Sequence, residues 1–122
     1  MIKTNPAIYI VDDDESVRKG LRRLLKSAGY TAETFNSGRS FLDSVPTDTQ
    51  GILILDVCMP NLDGFQLQAK LNSLRSRIQI IFITAHAQAG DHERAMDAGA
   101  KGFLLKPFSD ESLLTLITSL ML

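Results

Sequence analysis

The fold is decided by the stretch Gly51–Gly64, which reads GILILDVCMPNLDG. Its unbroken apolar run, Ile52–Leu55, is typical of a strand buried on both faces, as in a parallel sheet covered by helices. Asp56 ends this run, at the sheet edge where open α/β proteins bind their ligands. The turn-forming loop that follows contains Pro60, which fixes φ, and Gly64, which can take a positive φ. Asp56 is therefore a candidate functional residue by position alone.

Length, composition and charge bound the possible classes of protein. The chain has 122 residues, which suits one domain with one core. Its hydrophobic content of 44% and charged content of 22% are close to those of soluble globular proteins. The net charge of −1 argues against direct binding of nucleic acid, which usually needs a basic surface. We therefore expect any contact with DNA to come from another segment.

Cysteine content and hydropathy indicate the compartment. The only cysteine is Cys58, so an internal disulfide is impossible and a reduced protein is the simplest interpretation. No apolar run reaches the length of about 18 residues that a membrane span needs. The amino-terminal segment has too short an apolar core and no cleavage site for a signal peptide. These features predict a cytoplasmic protein with no membrane partner.

Apolar strands alternate with amphipathic helices along the whole chain. The predicted strands cover residues 7–11, 31–35, 52–55, 78–83 and 102–105. The predicted helices lie at residues 17–28, 38–45, around 67–74, from 91 to a stop at Gly99, and after the capping residue Ser109. This alternation predicts a parallel sheet wound on both faces. Right-handed crossovers then bring the polar residues that follow the strands to one surface, namely Asp12, Asp13, Asp56, Thr84 and Lys106.

The chemistry of these residues suits a metal and a phosphoryl group. Crowded carboxylates repel one another, and Mg²⁺ is a suitable counter-ion because it needs only one or two carboxylates, with waters completing its shell. A carboxylate beside a metal and a lysine can accept a phosphoryl group, since both cations neutralise charge on the phosphoryl oxygens. Asp56 is the expected nucleophile because it ends the middle strand, Lys106 supplies an ammonium group, and Thr84 supplies a hydroxyl donor.

The motifs together resemble the receiver domain of two-component response regulators. The matching segments cover the whole chain in order: Asp12-Asp13, Leu55-Asp56-Val57, Met59-Pro60, Asp63-Gly64, Ile83-Thr84-Ala85, Gly99-Ala100 and Lys106-Pro107-Phe108. The resemblance implies a flavodoxin-like (βα)5 fold, a doubly wound parallel sheet with strand order 2-1-3-4-5. The segment from Thr84 to His86 and residues 91–100 most resemble the FixJ-like subgroup, whose members carry a helix-turn-helix output domain.

The resemblance also assigns roles to individual residues. It implies that a phosphohistidine of a sensor histidine kinase phosphorylates Asp56. It implies Mg²⁺ or Mn²⁺ held by Asp13, Asp56 and the main-chain carbonyl of Cys58, with Asp12 acting through water. Lys106 would pair with the phosphoryl group and Thr84 would hydrogen-bond to it, while Phe103 would swing inward as that hydroxyl moves. The Lys106–Pro107 bond would be cis.

The resemblance implies that the whole molecule is a regulated switch rather than an enzyme with a separate substrate. Residues 1–122 would form a single receiver domain, the amino-terminal part of a longer regulator whose missing carboxyl-terminal domain binds DNA. The domain would catalyse only its own phosphorylation and dephosphorylation at Asp56. Phosphorylation would promote a homodimer through helix 4, strand 5 and helix 5. The excess of apolar residues on the last helix suits either such a contact or packing against the missing downstream domain.

Three alternatives and one simpler interpretation are compatible with parts of the pattern. The chain could be a stand-alone receiver, or a phosphohydrolase with an aspartyl-phosphate intermediate, although the haloacid dehalogenases have an acid where Cys58 stands. An interaction module blind to phosphorylation is disfavoured by the complete acceptor set. Asp12 and Asp13 could simply cap the first helix.

The two histidines, His86 and His92, are predicted to lie in loops and have no thiolate partners. We therefore expect them to be exposed rather than to bind a metal.

Overall fold

The computed structural model describes residues 7–121 and contains five parallel strands and five helices within that range. The sheet has the strand order β2-β1-β3-β4-β5, which confirms the predicted doubly wound topology. The strands are β1 Ala7–Val11, β2 Ala32–Phe35, β3 Gly51–Asp56, β4 Gln79–Thr84 and β5 Gly102–Leu105. The helices are α1 Glu15–Ser27, α2 Gly38–Ser44, α3 Gly64–Ser73, α4 Asp91–Asp97 and α5 Asp110–Leu120.

The central strand β3 divides the core into two layers. Successive side chains of a strand point to opposite faces, so Leu53 and Leu55 contact one apolar cluster, while Ile52 and Ile54 contact the other. All four are at most 1% exposed. The predicted burial of this strand on both faces is confirmed, and β3 pairs in parallel with β1 on one side and β4 on the other.

Side-chain caps fix the beginnings of four helices. The oxygens of Asp14, Ser37, Asp63 and Ser109 accept main-chain N–H bonds at the starts of α1, α2, α3 and α5, which confirms the predicted cap at Ser109. The helix α4 differs, because it begins after Gly90 without a side-chain cap.

The structure corrects the role predicted for Gly64. Gly64 does not adopt a positive φ; it is the first residue of α3, and Asn61 with φ 68° takes the left-handed conformation in this loop. An asparagine tolerates that conformation because its short polar side chain bonds locally. Two smaller expectations also fail: α3 ends at Ser73, before Leu74, and His92 lies in α4 rather than in a loop.

The backbone at Pro107 agrees with expectation. The Lys106–Pro107 peptide bond is cis, as the resemblance implies. Within residues 7–121, no helix has both the length and the apolar character needed to cross a membrane. Four large apolar side chains are exposed among the described residues. Met96, Leu105 and Met121 belong to α4, β5 and the end of α5, whereas Leu74 follows α3.

Candidate functional site

The carboxyl ends of four parallel strands bring the predicted site residues to one edge of the sheet. Asp12 and Asp13 follow β1, Asp56 is the last residue of β3, and Thr84 is the last residue of β4. Lys106 follows β5, and its main-chain N–H donates to the carbonyl of Thr84 at 2.8 Å. The convergence predicted from the alternation of strands and helices is therefore observed.

Three carboxylates form the centre of this site. Oxygens of Asp12, Asp13 and Asp56 all lie within 4.8 Å of one another. Asp12 is fully buried and Asp56 is 6% exposed, whereas Asp13 is exposed at the mouth of the site. Such a group of oxygens, partly buried and open on one side, suits a hard divalent cation with several water ligands.

Lys106 provides the positive charge of the site. Its Nζ lies 3.0 Å from Oδ2 of Asp12 and 3.9 Å from Oδ2 of Asp56, and its side chain is only 20% exposed. The lysine thus pairs closely with the buried Asp12 while remaining within reach of any group attached to Asp56. A single lysine in this position partly compensates two neighbouring acids.

Two residues outside the predicted set hold Asp12 in place. The main-chain N–H of Asp14 donates to Oδ1 of Asp12 at 2.9 Å, and Arg18 Nη1 donates to the main-chain carbonyl of Asp12 at 2.7 Å. Both oxygens of the Asp12 carboxylate are therefore engaged, one by Asp14 and one by Lys106. Arg18 is one of several basic residues of α1, which the sequence alone assigns to a solvated face, so nothing in the sequence indicated this contact.

The environment of Asp56 favours its protonated form. Burial is the main cause, and with the nearby charge of Asp12 it raises the pKa of Asp56 from its usual 3.8 to about 6. Lys106 and the main-chain N–H of Cys58, which donates to Oδ1 at 3.3 Å, oppose this rise. A divalent cation would favour the ionised carboxylate, so binding of such a cation at about pH 6 should release protons.

We expect Asp56→Asn to stabilise the metal-free protein at neutral pH. The pKa of Asp56 is higher in the folded chain than its unfolded value of 3.8, so ionised Asp56 costs folding free energy above about pH 6 and none below pH 3.8. In EDTA at pH 7.5, the free energy of unfolding should rise by about 1–2 kcal/mol in the variant, allowing for partial solvent screening.

Urea unfolding of both proteins, followed by circular dichroism at pH 7.5 and pH 4, measures this difference. The gain should shrink at pH 4, where the wild-type carboxyl group is largely protonated in the folded state, and it should reverse when saturating Mg²⁺ is added at pH 7.5. An equal gain at both pH values would show that ionisation of the buried Asp56 carboxyl group is not its cause.

Thr84 on β4 and Phe103 on β5 are the predicted switch residues, and that role stays a prediction. The Thr84 side chain is fully buried, and its Oγ1 accepts the main-chain N–H of His86 at 3.1 Å. Phe103 is half-buried on β5, with its ring centroid 6.3 Å from that of Phe82 and 5.5 Å from that of His92. A movement of the ring would therefore change its contact with α4.

The remaining candidate side chains lie outside the carboxylate cluster. Among residues 7–121, the group of side chains brought together as potential metal ligands contains only Asp12, Asp13 and Asp56. His86 and His92 are exposed, as expected, and the Cys58 side chain is exposed as well. The predicted ligand at Cys58 is its main-chain carbonyl, and that assignment stays a prediction.

The fold and the arrangement of acids and lysine at its edge are those of a receiver-type domain, and comparison with known proteins agrees. Residues 8–118 match the sequence profile of the response regulator receiver domain, so the chain belongs to the response regulator receiver domain family. It is a domain of two-component signalling, and its relatives include FixJ, as the resemblance to the FixJ-like subgroup predicted.

Individual relatives show how much of each protein the chain matches. The chain is 43% identical over 107 residues to the response regulator protein TodT of Pseudomonas putida, covering 88% of this chain and 47% of TodT. It is 38% identical over 116 residues to the transcriptional regulatory protein FixJ of Bradyrhizobium diazoefficiens, covering 95% of this chain and 57% of FixJ. The solved structure of response regulator StyR superposes with a TM-score of 0.88 at 45% identity, covering 95% of this chain and 59% of that one. The chain thus spans about half the length of the curated relatives it matches.

Proposed function

We propose that this chain is a phosphorylation-controlled switch that accepts a phosphoryl group on Asp56 from a sensor histidine kinase. The observation that carries the proposal is the position of the Asp56 carboxylate, which lies within 4.8 Å of oxygens of two further acids and 3.9 Å from the Lys106 ammonium. Family membership supports the same conclusion.

The donor set fits Mg²⁺ or Mn²⁺. Asp13, Asp56 and the main-chain carbonyl of Cys58 would hold the ion, and Asp12 would contact it through water because both of its oxygens already accept hydrogen bonds. When bound, the ion supplies positive charge that offsets the repulsion among the carboxylates and the charge of the phosphoryl oxygens.

The chain's own residues then perform the transfer. An oxygen of ionised Asp56 attacks phosphorus, the P–N bond to the donor histidine breaks, and the imidazole leaves with the bonding electron pair. The Lys106 ammonium neutralises charge on the phosphoryl oxygens as they approach. The hydroxyl of Thr84 turns toward the phosphoryl group and gives up its bond with the N–H of His86. Water later attacks phosphorus of the aspartyl phosphate, which releases inorganic phosphate and regenerates the Asp56 carboxylate, so the domain acts only on itself.

The surface offers two regions for the partners of such a switch. A groove of about 520 Å³ between α1 and the segment after β5, lined among others by Leu24, Lys106 and Phe108, is open beside the site and suits docking of the kinase. Exposed apolar groups at Met96, Leu105 and Met121 suit a phosphorylation-dependent homodimer through α4, β5 and α5.

The output belongs to a part of the regulator outside this chain. Because the chain spans about half of its relatives, and FixJ carries the name of a transcriptional regulatory protein, we propose a carboxyl-terminal DNA-binding domain controlled by this one. The chain would then act on transcription in the cytoplasm without contacting nucleic acid itself.

Intact-mass spectrometry after incubation with acetyl phosphate and Mg²⁺ tests the proposal. We expect a gain of about 80 Da that is labile to hydroxylamine, requires the metal, and is absent in Asp56→Asn. An unmodified wild-type chain that also receives no phosphate from histidine kinases would overturn the proposal and favour an interaction module.

Cys58 is expected to give the phosphorylated state a long lifetime. Its exposed thiol lies two residues beyond Asp56, where an amide or an acid could orient the attacking water. We expect Cys58→Asn to accelerate loss of the phosphoryl group several-fold, measured as decay of the phosphorylated mass after the donor is removed. Cys58→Ala is the matched control, because it removes the thiol without adding a group that orients water. Equal decay of the asparagine variant and wild type would contradict this role.

A further inference from the structure

Gln68 is a buried polar residue that the proposed chemistry does not use. Four polar or charged residues are buried among residues 7–121, and three of them, Asp12, Asp56 and Thr84, belong to the site. The fourth is Gln68 on α3, which is only 2% exposed. A buried amide is unfavourable unless it is hydrogen-bonded, so its partner identifies what it holds.

The partner of Gln68 is the carboxyl-terminal half of α4. Nε2 of Gln68 donates to the main-chain carbonyl of Ala95 at 3.0 Å. One helical turn along α3, Nδ2 of Asn72 donates to the carbonyl of Ala98 at 2.9 Å. Helices leave carbonyls without partners at this end, and the two amides of α3 supply donors there. The Ala95 carbonyl also accepts the N–H of Ala100 at 3.0 Å, which closes the helix end.

The amino-terminal end of α4 is restrained by exposed contacts. The helix begins after Gly90 in the left-handed conformation and has no side-chain cap, and all residues from 85 to 90 are exposed. Exposed contacts here include the N–H of Gln88, which donates to the Asp91 carboxylate at 2.9 Å, and the exposed ring of His92, which packs edge-on against Phe103. Exposed contacts of this kind exchange readily with water, so they resist movement less than the buried amide does.

We propose that Gln68 and Asn72 are positioning residues that make the carboxyl end of α4 a fixed pivot, about which its amino end and the loop after Thr84 rearrange when Asp56 is phosphorylated. The proposal rests on the proposed switch function. Phosphorylation would displace α4 first at its end nearer to Thr84, because that end is joined to Thr84 by residues 85–90 and contacts Phe103 through His92. An α4 fixed at its far end converts that displacement into a rotation of the helix.

Hydrogen exchange of the unmodified full chain, followed by NMR, tests the pivot directly. In Gln68→Met, the amides of Ala98 and Ala100 should exchange about tenfold faster than in wild type, while the amides of β3 keep their rates. Gln50→Met is the matched control, because it makes the same substitution at an exposed residue before β3. Unchanged exchange at Ala98 and Ala100 would overturn the pivot.

The exposed member of the pair gives a second variant that avoids the core. Asn72→Ala should accelerate exchange at Ala98 by a few-fold, whereas Lys70→Ala, an exposed substitution on the same helix, should leave that exchange unchanged. Equal exchange in these two variants would remove Asn72 from the pivot. If Gln68→Met failed to fold, equal exchange at Ala98 in these two variants would overturn the pivot, because the side-chain bonds from α3 would then not hold the end of α4.

Beryllofluoride with Mg²⁺, a mimic of the phosphoryl group, tests the rotation. In wild type, amide shifts should change strongly over residues 85–94 and little over residues 98–100, and in Gln68→Met the changes should extend through residue 100. Strong wild-type changes at residues 98–100, in a chain that acetyl phosphate still modifies, would overturn the pivot alone. No shift change together with no gain in mass would instead show that the switch itself fails.

Discussion

Replacing Lys106 with methionine is expected to slow phosphorylation of Asp56 by acetyl phosphate about a hundredfold at pH 7.5. The variant removes the ammonium group 3.9 Å from Oδ2 of Asp56, and with it the charge that would stabilise the phosphoryl oxygens during transfer. Because Lys106 also lowers the pKa of Asp56, its loss should raise that pKa beyond about 6 and reduce the ionised fraction. The rate is measured from the increase of the phosphorylated mass with time.

The same substitution should also destabilise the metal-free protein. Lys106 Nζ is 3.0 Å from the fully buried carboxylate of Asp12. With methionine at position 106, the main-chain N–H of Asp14 would be the remaining hydrogen-bond donor to that carboxylate among the described residues. Removing one partner of a buried ion pair costs about 3 kcal/mol, because the remaining charge stays uncompensated. The free energy of unfolding in EDTA should fall by this amount, and Mg²⁺ should restore part of it by supplying positive charge.

Lys101→Met is the matched control for both measurements. Lys101 is exposed between α4 and β5, so its substitution removes the same charge without touching the carboxylates. We expect wild-type rates and stability in this control. A Lys106→Met protein that is phosphorylated as fast as Lys101→Met would show that the ammonium group of Lys106 does not assist the transfer.

The topology and the set of site residues could be predicted because they depend on short, strong patterns. A continuous apolar run such as Ile52–Leu55 is stable only when both faces are covered, and this requirement fixes β3 in the middle of a parallel sheet. Parallel order then brings the residue that follows each strand to the same edge. Asp56, Thr84 and Lys106 converge because of this geometry, and no local sequence feature is needed to explain their proximity.

Contacts that depend on exact placement could not be predicted in this way. The sequence contains glutamines at positions 66 and 68, yet Gln66 caps α3 while Gln68 is buried against α4. Arg18 belongs by pattern to a solvated cationic face, although it donates to the carbonyl of Asp12. In each case the partner is chosen by helix packing, which depends on the whole core rather than on the residue's neighbours in sequence.

The prediction at Gly64 failed for a related reason. Glycine can permit a positive φ or permit the close approach of another chain segment, and the sequence does not distinguish these uses. The structure shows close approach, since the N–H of Gly64 donates to the carbonyl of Val57 at 2.8 Å. The start of α3 therefore lies directly against the end of β3, next to the phosphoacceptor.

Gly64→Ala is expected to lower the free energy of unfolding by about 3 kcal/mol, because a Cβ at this position has no room. It would contact the main-chain oxygen of Asp56, and it would lie 2.9 Å from Cα of Val57 and 3.0 Å from Cε1 of Phe82. Two of these three neighbours are main-chain atoms of the segment that carries the acceptor, so relief requires α3 and the end of β3 to separate. Phosphorylation by acetyl phosphate should slow as Asp56 is displaced.

Gly20→Ala is a control that is expected to change the free energy of unfolding in the opposite direction. Gly20 lies within α1, and no neighbouring atom comes within 4 Å of the place that an alanine Cβ would take. Alanine should therefore raise the free energy of unfolding by about 0.5–1 kcal/mol through its higher helix propensity. Urea unfolding in the same buffer measures the free energy of unfolding of the two variants, each of which adds one methyl group to a glycine. If Gly64→Ala were as stable as wild type, α3 would be free to move away from β3, and the close contact would not be what positions Asp56.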